Sequence, residues 1–206
     1  MNGYWEESIM KRGRLIAALI CAACILTGCG GFSPEVTGVS IDKKGRITQV
    51  VRESFDKDYY DKKEVEGEIS SAVKTYNEAA GGKKVKKKGF SVKNGVAVLS
   101  MTYASAKDYA DFNDIGFYVG DILGAVQAGH AFEGKFLKVS DGKAEAEASV
   151  WGSQIMTGKN YQTVVIEEAL LVEVPGNIKY VSENMKVTGK STAVLEETGR
   201  AYVLYE

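Results

Sequence analysis

Apolar and polar positions along this chain change period several times, and each change marks an element. From Val36 to Ile41 and from Arg46 to Glu53 the runs are β-rich. Asp42-Lys43-Lys44-Gly45 between them has the polar residues and glycine of a hairpin turn. Val65, Ile69, Ala72, Val73, Tyr76 and Ala80 then recur at helical spacing, with Lys62, Glu66, Ser70, Lys74 and Glu78 on other faces. Asp61 is placed to cap this helix and Gly81-Gly82 to stop it. Val85 to Lys93 and Val96 to Tyr103 flank Asn94-Gly95, two residues that both tolerate the positive φ of a tight hairpin.

Ser105 to Asn113 and Ile115 to Ala128 read as helices. The second carries Gly116, Gly120, Gly124 and Ala128 at intervals of four beside Val119, Ile122, Leu123 and Val126, a stripe that suits close approach to a neighbouring element. Further on, Phe136 to Val139, Ala144 to Val150, Tyr161 to Val174, Ile178 to Val181 and Ala201 to Tyr205 read as strands. Asp141-Gly142, Pro175-Gly176 and Thr198-Gly199 read as their turns. No internal repeat is visible. The expected architecture is α+β: antiparallel β-hairpins and sheet packed by two or three helices, in a single domain over residues 35–206. Two subdomains joined near 130–135 are the alternative.

The N-terminus follows a different logic. Lys11, Arg12 and Arg14 precede an uncharged apolar run, Leu15 to Leu26, of 12 residues. A membrane-spanning helix needs about 20, so the run reads as the core of a signal peptide. Leu26-Thr27-Gly28-Cys29 closes it and resembles the lipobox of bacterial lipoproteins. The resemblance implies a diacylglyceryl thioether on Cys29 and cleavage between Gly28 and Cys29. Residues 1–28 would then be removed and 29–34 would tether an extracytoplasmic domain. Two acyl chains give stable anchoring where one gives only marginal binding. The implied location is the outer face of the cytoplasmic membrane, or the outer membrane or periplasmic side in a diderm cell. Met10-Lys11-Arg12 looks more like a lipoprotein start than Met1, with residues 1–9 either a gene-start artefact or an extended n-region. In layout, with a lipobox, a hairpin, and the acidic-aromatic segment Asp56 to Tyr60 leading into a helix, the chain is also similar to small lipoproteins of Gram-positive gut bacteria. That similarity implies no activity.

Composition narrows the chemistry. All 3 cysteines fall at or before position 29 and His130 is the only histidine. Cys/His zinc sites, Cys-His catalysis and haem attachment through paired cysteines are therefore excluded, and the domain must be held by its core without disulfides. Neither a cofactor nor a metal is expected. An EF-hand loop starting at Asp56 would need Gly at 61 and Glu at 67, where the chain has Asp61 and Gly67. Asp111 to Gly116 fails at Ile115 and Ile122. Gly189-Lys190-Ser191-Thr192 ends like a phosphate-binding loop but has Asn184 where the first glycine belongs, and reads as a turn between strands. His130, in a Gly/Ala setting, reads as a loop or packing residue. Glu167 and Glu168, as adjacent strand residues, would point to opposite faces and could not flank one bond.

Charge is balanced, with 26 Lys and Arg against 27 Asp and Glu, which gives no support to nucleic-acid binding. One local exception is Lys83, Lys84, Lys86, Lys87 and Lys88, five lysines in six residues. They suit contact with anionic headgroups or another envelope polyanion, or simply the solvated edge of a sheet, where lysine blocks edge-to-edge pairing. Tyr59, Tyr60, Tyr103, Tyr109, Phe112, Phe117 and Tyr118 would line a sugar or peptide groove, or more simply pack the core. The functional expectation is a surface lipoprotein, not an enzyme, that binds a partner or assists envelope assembly. It would contact membrane lipid through Cys29, with oligomeric state open. The alternatives are a solute-binding component of an importer and an envelope hydrolase using Asp and Glu.

Overall fold

Short-range turn chemistry sets the N-terminal half. Asn94 and Gly95 adopt φ of 52° and 71°, the conformation a two-residue hairpin requires. The computed structural model describes residues 31–57 and 59–206. The apolar run, Gly28, Cys29 and Asp58 therefore lie outside the described residues. In chain order the elements are β1 (Gly38–Ile41), β2 (Ile47–Ser54), α1 (Lys62–Ala79), β3 (Val85–Lys93), β4 (Val96–Tyr103), α2 (Ala106–Asn113), β5 (Phe117–Asp121), α3 (Ile122–Gln127), β6 (Lys135–Ser140), β7 (Lys143–Trp151), α4 (Gly152–Thr157), β8 (Gln162–Ile166), β9 (Leu171–Glu173), β10 (Ile178–Ser182), β11 (Met185–Val187), β12 (Thr192–Leu195) and β13 (Ala201–Tyr205).

The fold is α+β and contains two sheets. One has seven strands in the order β11-β12-β9-β1-β2-β4-β3, and the other six in the order β5-β8-β13-β10-β6-β7. Every pairing is antiparallel except β1 with β9. Strands from the C-terminal third complete the sheet begun at residue 38. The chain leaves the six-stranded sheet at Ile166, enters the seven-stranded one at Leu171, and returns at Ile178. Inner faces of both sheets share one core, in which Val39, Ile41, Ile47, Met101, Tyr103, Val172 and Leu195 meet Val164, Ile166, Val181, Ala201 and Val203.

Helices α1 and α2 pack against this shared core. Asp61 accepts hydrogen bonds from the Lys63 and Glu64 amides at 2.6 and 3.0 Å, the N-cap expected from sequence. Ile69, Val73 and Tyr76 lay one stripe of α1 on the core without any residue of the helix becoming fully buried. Ser105 caps α2, and Tyr109 within it is fully buried against Tyr103 and Phe117. Most of the aromatic cluster is thus core, while Tyr59 stands exposed.

Two stretches depart from their expected form. Residues 115–128 make a strand and a six-residue helix in place of one long helix, so the glycines do not form a helical stripe. Gly116 admits the Glu167 carboxylate and Gly120 admits the Tyr118 ring, where a Cβ would collide. Residues 161–174 are two strands in different sheets, with Glu167 and Glu168 in the crossing between them. The opposite-face argument about that pair therefore does not apply. Glu167 instead accepts two hydrogen bonds from the Arg200 guanidinium, at 3.0 and 2.9 Å.

The outer face of the six-stranded sheet carries a second core of Ile122, Ala125, Phe132, Phe136, Ile155, Val165, Tyr202 and Leu204, covered by α3, α4 and the segment before β6. Thr163, whose strand neighbour across the ladder is Leu204, is fully buried. Its hydroxyl has no hydrogen-bond partner among the described residues. An unsatisfied buried hydroxyl costs about 1–3 kcal/mol, so Thr163→Val is expected to raise the unfolding midpoint in denaturant. A lowered midpoint would show that the hydroxyl has a partner, such as a bound water.

Candidate functional site

Strand direction defines two ends of the sandwich. The end where β1 starts at Gly38 is the proximal one, because the N-terminal segment lies there. Phe32 sits over Gly38, Pro34 accepts a hydrogen bond from Arg52 Nε at 2.7 Å, and the Thr37 hydroxyl exchanges bonds with the Arg52 backbone. β9 runs parallel to β1, β8 ends beside its start, and β10 starts beside its end. β13 ends against the start of β8, pairing Tyr205 with Gln162. The starts of β8 and β10 and the ends of β5, β6 and β13 therefore gather at the distal end.

Two adjoining concavities lie there. The first is a groove of about 450 Å³ lined by Ile122, Leu123, Val126, Met156, Gly158, Lys159 and Asn160. Asp121 caps α3 through the Gly124 amide at 2.7 Å and accepts from Asn160 Nδ2 at 3.0 Å, so the cap ties the 158–160 segment to the helix. Ile122 and Ala125 of α3, and Ile155 of α4, turn into the second core. Helices this short have too few positions to bury both flanks. Leu123, Val126 and Met156 consequently stay 60, 43 and 45 % exposed, side by side. Trp151, at the start of α4, is likewise exposed and has the Lys135 ammonium 5.5 Å from its ring centre.

The second is a polar cleft of about 330 Å³ between the ends of β6, β10 and β13 and the turn from β11 to β12. Tyr161 and Tyr180 meet edge to face at 5.7 Å. Lys138, Lys179 and Lys190, together with Asp141 and Glu206, supply its charges. Glu206 is held below the usual carboxylate range by hydrogen bonds from Lys159 first and Lys179 next, the latter at 2.9 Å. Asp141 pairs with Lys190 at 3.3 Å. The wall formed by Asp141-Gly142 needs its glycine: φ is 77°, and a Cβ would stand 2.8 Å from the Lys190 amide nitrogen. Segment 159–161 separates the groove from the cleft, with Lys159 poised 5.4 Å from the Tyr161 ring centre.

The lysine run is split by the fold. Lys83 and Lys84 lie in the turn after α1, where Asn77 binds the Lys84 and Val85 amides. Lys86, Lys87 and Lys88 begin β3, the edge strand of its sheet, at the distal end. Lys87 turns inward to Glu66 at 2.7 Å and to Ser70, leaving Lys83, Lys84, Lys86 and Lys88 exposed. Register shifts just after Lys87, and a bulged, lysine-rich edge is what protects a sheet from pairing with another chain. His130 is half-buried in the loop after α3, its ring 5.2 Å from that of Tyr118. Burial, then nearby Arg200, lowers its pKa against an opposing pull from Glu167.

Among the described residues no three His, Cys, Asp or Glu side chains stand together as a metal site, and no helix is long and apolar enough to cross a membrane. Sequence reasoning placed Leu123 and Val126 on a packed helix face and singled out neither Met156 nor the Tyr161–Tyr180 pair. Nothing in the local sequence joins residues 122–126 to 156–160, because their meeting depends on how α3 and α4 cross the sheet. In comparisons with known proteins, the chain matches no family model, no curated protein and no solved structure.

Proposed function

We propose that this chain is a lipid-anchored extracytoplasmic protein whose folded part is a non-catalytic binding or envelope-assembly module, docking a protein partner through the groove between α3 and α4. The observation that carries the reading is the groove itself. Leu123, Val126 and Met156 present contiguous apolar side chains to solvent, a feature that marks interaction surfaces. Placement supports a protein over a bilayer as the occupant. Phe32 and Pro34 are seated at the proximal end. Residues 29–31 then separate a lipidated Cys29 from the fold, a reach of roughly 10 Å. The proximal end rests at the membrane and the groove faces away from it. The exposed lysines of β3 also lie distally, which favours a wall polyanion over headgroups as their contact. Asp141 and Glu206, the carboxylates of the cleft, are both engaged by lysines, which favours binding over proton transfer.

Cysteine accessibility tests this in intact cells. Ser71→Cys on the exposed side of α1 is expected to react with a membrane-impermeant maleimide. Val126→Cys and Met156→Cys should react readily in the purified protein but severalfold more slowly in cells, where the partner covers them. Cys29→Ser should abolish acyl labelling. An unreactive Ser71→Cys would overturn the extracytoplasmic placement, equal rates at the groove positions would overturn docking, and persistent acylation would overturn the anchor.

A further inference from the structure

We infer that the cleft between Tyr161, Tyr180 and Lys138 is a binding site for an anionic saccharide, a sugar ring bearing a carboxylate or phosphate. This inference concerns a different surface from the groove and stands independently of the anchor.

Charge is the first observation. Lys138, Lys179 and Lys190 line the cleft, and Lys159 reaches in to Glu206. The side-chain carboxylates of Asp141 and Glu206 oppose these four cations in the cleft, and Glu145 faces Lys138 across the β6–β7 ladder. Glu206 takes up two of the lysines and Asp141 takes up Lys190. Lys138 makes no ion pair among the described residues and is exposed. The site therefore keeps one cation outside any ion pair and a small positive surplus, four lysines against three carboxylates with Glu145 counted, which favours an anion. Because the surplus sits partly in water, it sets preference more than affinity.

Shape is the second. Lys138 pairs directly with Tyr180 across the β6–β10 ladder, so both project from one face of the sheet. A ring lying against the tyrosine places its substituent beside that ammonium. The apolar C–H face of a sugar suits an aromatic wall, and its hydroxyls suit Ser140 and Asn177, which also line the cleft. The volume of about 330 Å³ falls at the lower end of small-molecule sites. A bare inorganic anion would leave most of it unfilled.

Rigidity is the third. Backbone bonds fix the walls before any ligand arrives: the Ile178 amide donates to Lys190 O at 2.8 Å, and Asn177 and Glu206 exchange amide–carbonyl bonds at 2.7 and 3.1 Å. A preformed cleft loses little entropy on binding.

The test uses the full chain in detergent micelles, titrated calorimetrically with glucuronic acid, glucose 6-phosphate, glucose and inorganic phosphate. At least one of the two charged sugars is expected to bind at least about tenfold more tightly than glucose and than phosphate, a difference of about 1.4 kcal/mol. Comparison of glucuronic acid with glucose 6-phosphate then identifies the preferred anion. Lys138→Glu should weaken that binding by at least the same factor while lowering the unfolding temperature only slightly, through the new repulsion from Glu145 across the β6–β7 ladder, whereas Met156→Glu, in the groove, should leave it intact. Glucose bound as well as its charged counterparts would overturn the charge argument. Phosphate bound as well as glucose 6-phosphate would reduce the site to a simple anion patch. No heat from either charged sugar, or an unaffected Lys138→Glu, would overturn the proposal outright.

Discussion

Phe136→Ala is expected to destabilise the protein by about 3–5 kcal/mol, the range for deleting a fully buried aromatic ring. Phe136 has no exposed surface. Its ring stacks on Phe132 at 5.9 Å and meets Tyr202 edge-on at 5.6 Å, while Phe132 and Tyr202 touch each other at 5.0 Å. Three rings thus brace the second core beneath α3 and α4. Phe136 sits in a strand hydrogen-bonded on both sides, to β7 and β10, so the backbone cannot collapse into the space left behind. For a chain of this size the loss corresponds to a fall in Tm of roughly 10 °C. Phe136→Leu should recover more than half of it. Phe90→Ala, half-buried on edge strand β3, should cost much less. A Phe136→Ala loss comparable to the Phe90→Ala loss would mean that the helices above are free to settle, and that the groove they form is adaptable.

How far the sequence discloses this structure depends on whether local chemistry or distant pairing decides each element. Asn94-Gly95, Asp61 and the periodic apolar residues of α1 are legible because each acts within a few positions, and each is found as read. Strand β5 is not legible. Phe117 and Val119 face the shared core while Tyr118 faces the second, so both sides are apolar and the alternation that marks a strand disappears. Glycines at 116, 120 and 124 then complete a false helical pattern, although in the fold they lie against the Glu167 and Tyr118 side chains.

The break at Glu167 to Leu170 is hidden for another reason. No glycine or proline marks it, and what ends the strand is the chance for β9 to pair with β1, more than 130 residues earlier in the chain. Strands β11 and β9 have only three residues each, too few for any periodicity to show. The candidate site inherits both difficulties. Its groove is assembled from two six-residue helices and its cleft from strand ends and turns, none of which carries a motif.

Gly152→Ala tests whether a single close contact shapes that groove. Gly152 opens α4 and is fully buried; its amide donates to Gly134 O at 3.0 Å. A Cβ there would collide with the Phe132 carbonyl oxygen and stand 2.6 Å from its carbon. The obstruction is backbone, so no side-chain rotation relieves it. Either α4 moves outward or Phe132 withdraws from the three-ring cluster, and overpacking of this kind costs about 1–3 kcal/mol. The preceding residue reports the movement directly, since Trp151 is the only tryptophan beyond residue 5. Its emission and the reactivity of a cysteine at 156 should both change along with the lost stability. Gly67→Ala is the counterpart of opposite sign: nothing lies within 4 Å of its Cβ position in the middle of α1. Removing an interior helix glycine should stabilise by up to about 1 kcal/mol and leave Trp151 unmoved. If Gly152→Ala were instead neutral and spectrally silent, α4 would have room to slide over the sheet. The groove would then be one of several positions of a mobile helix, and its width would be set by whatever binds there.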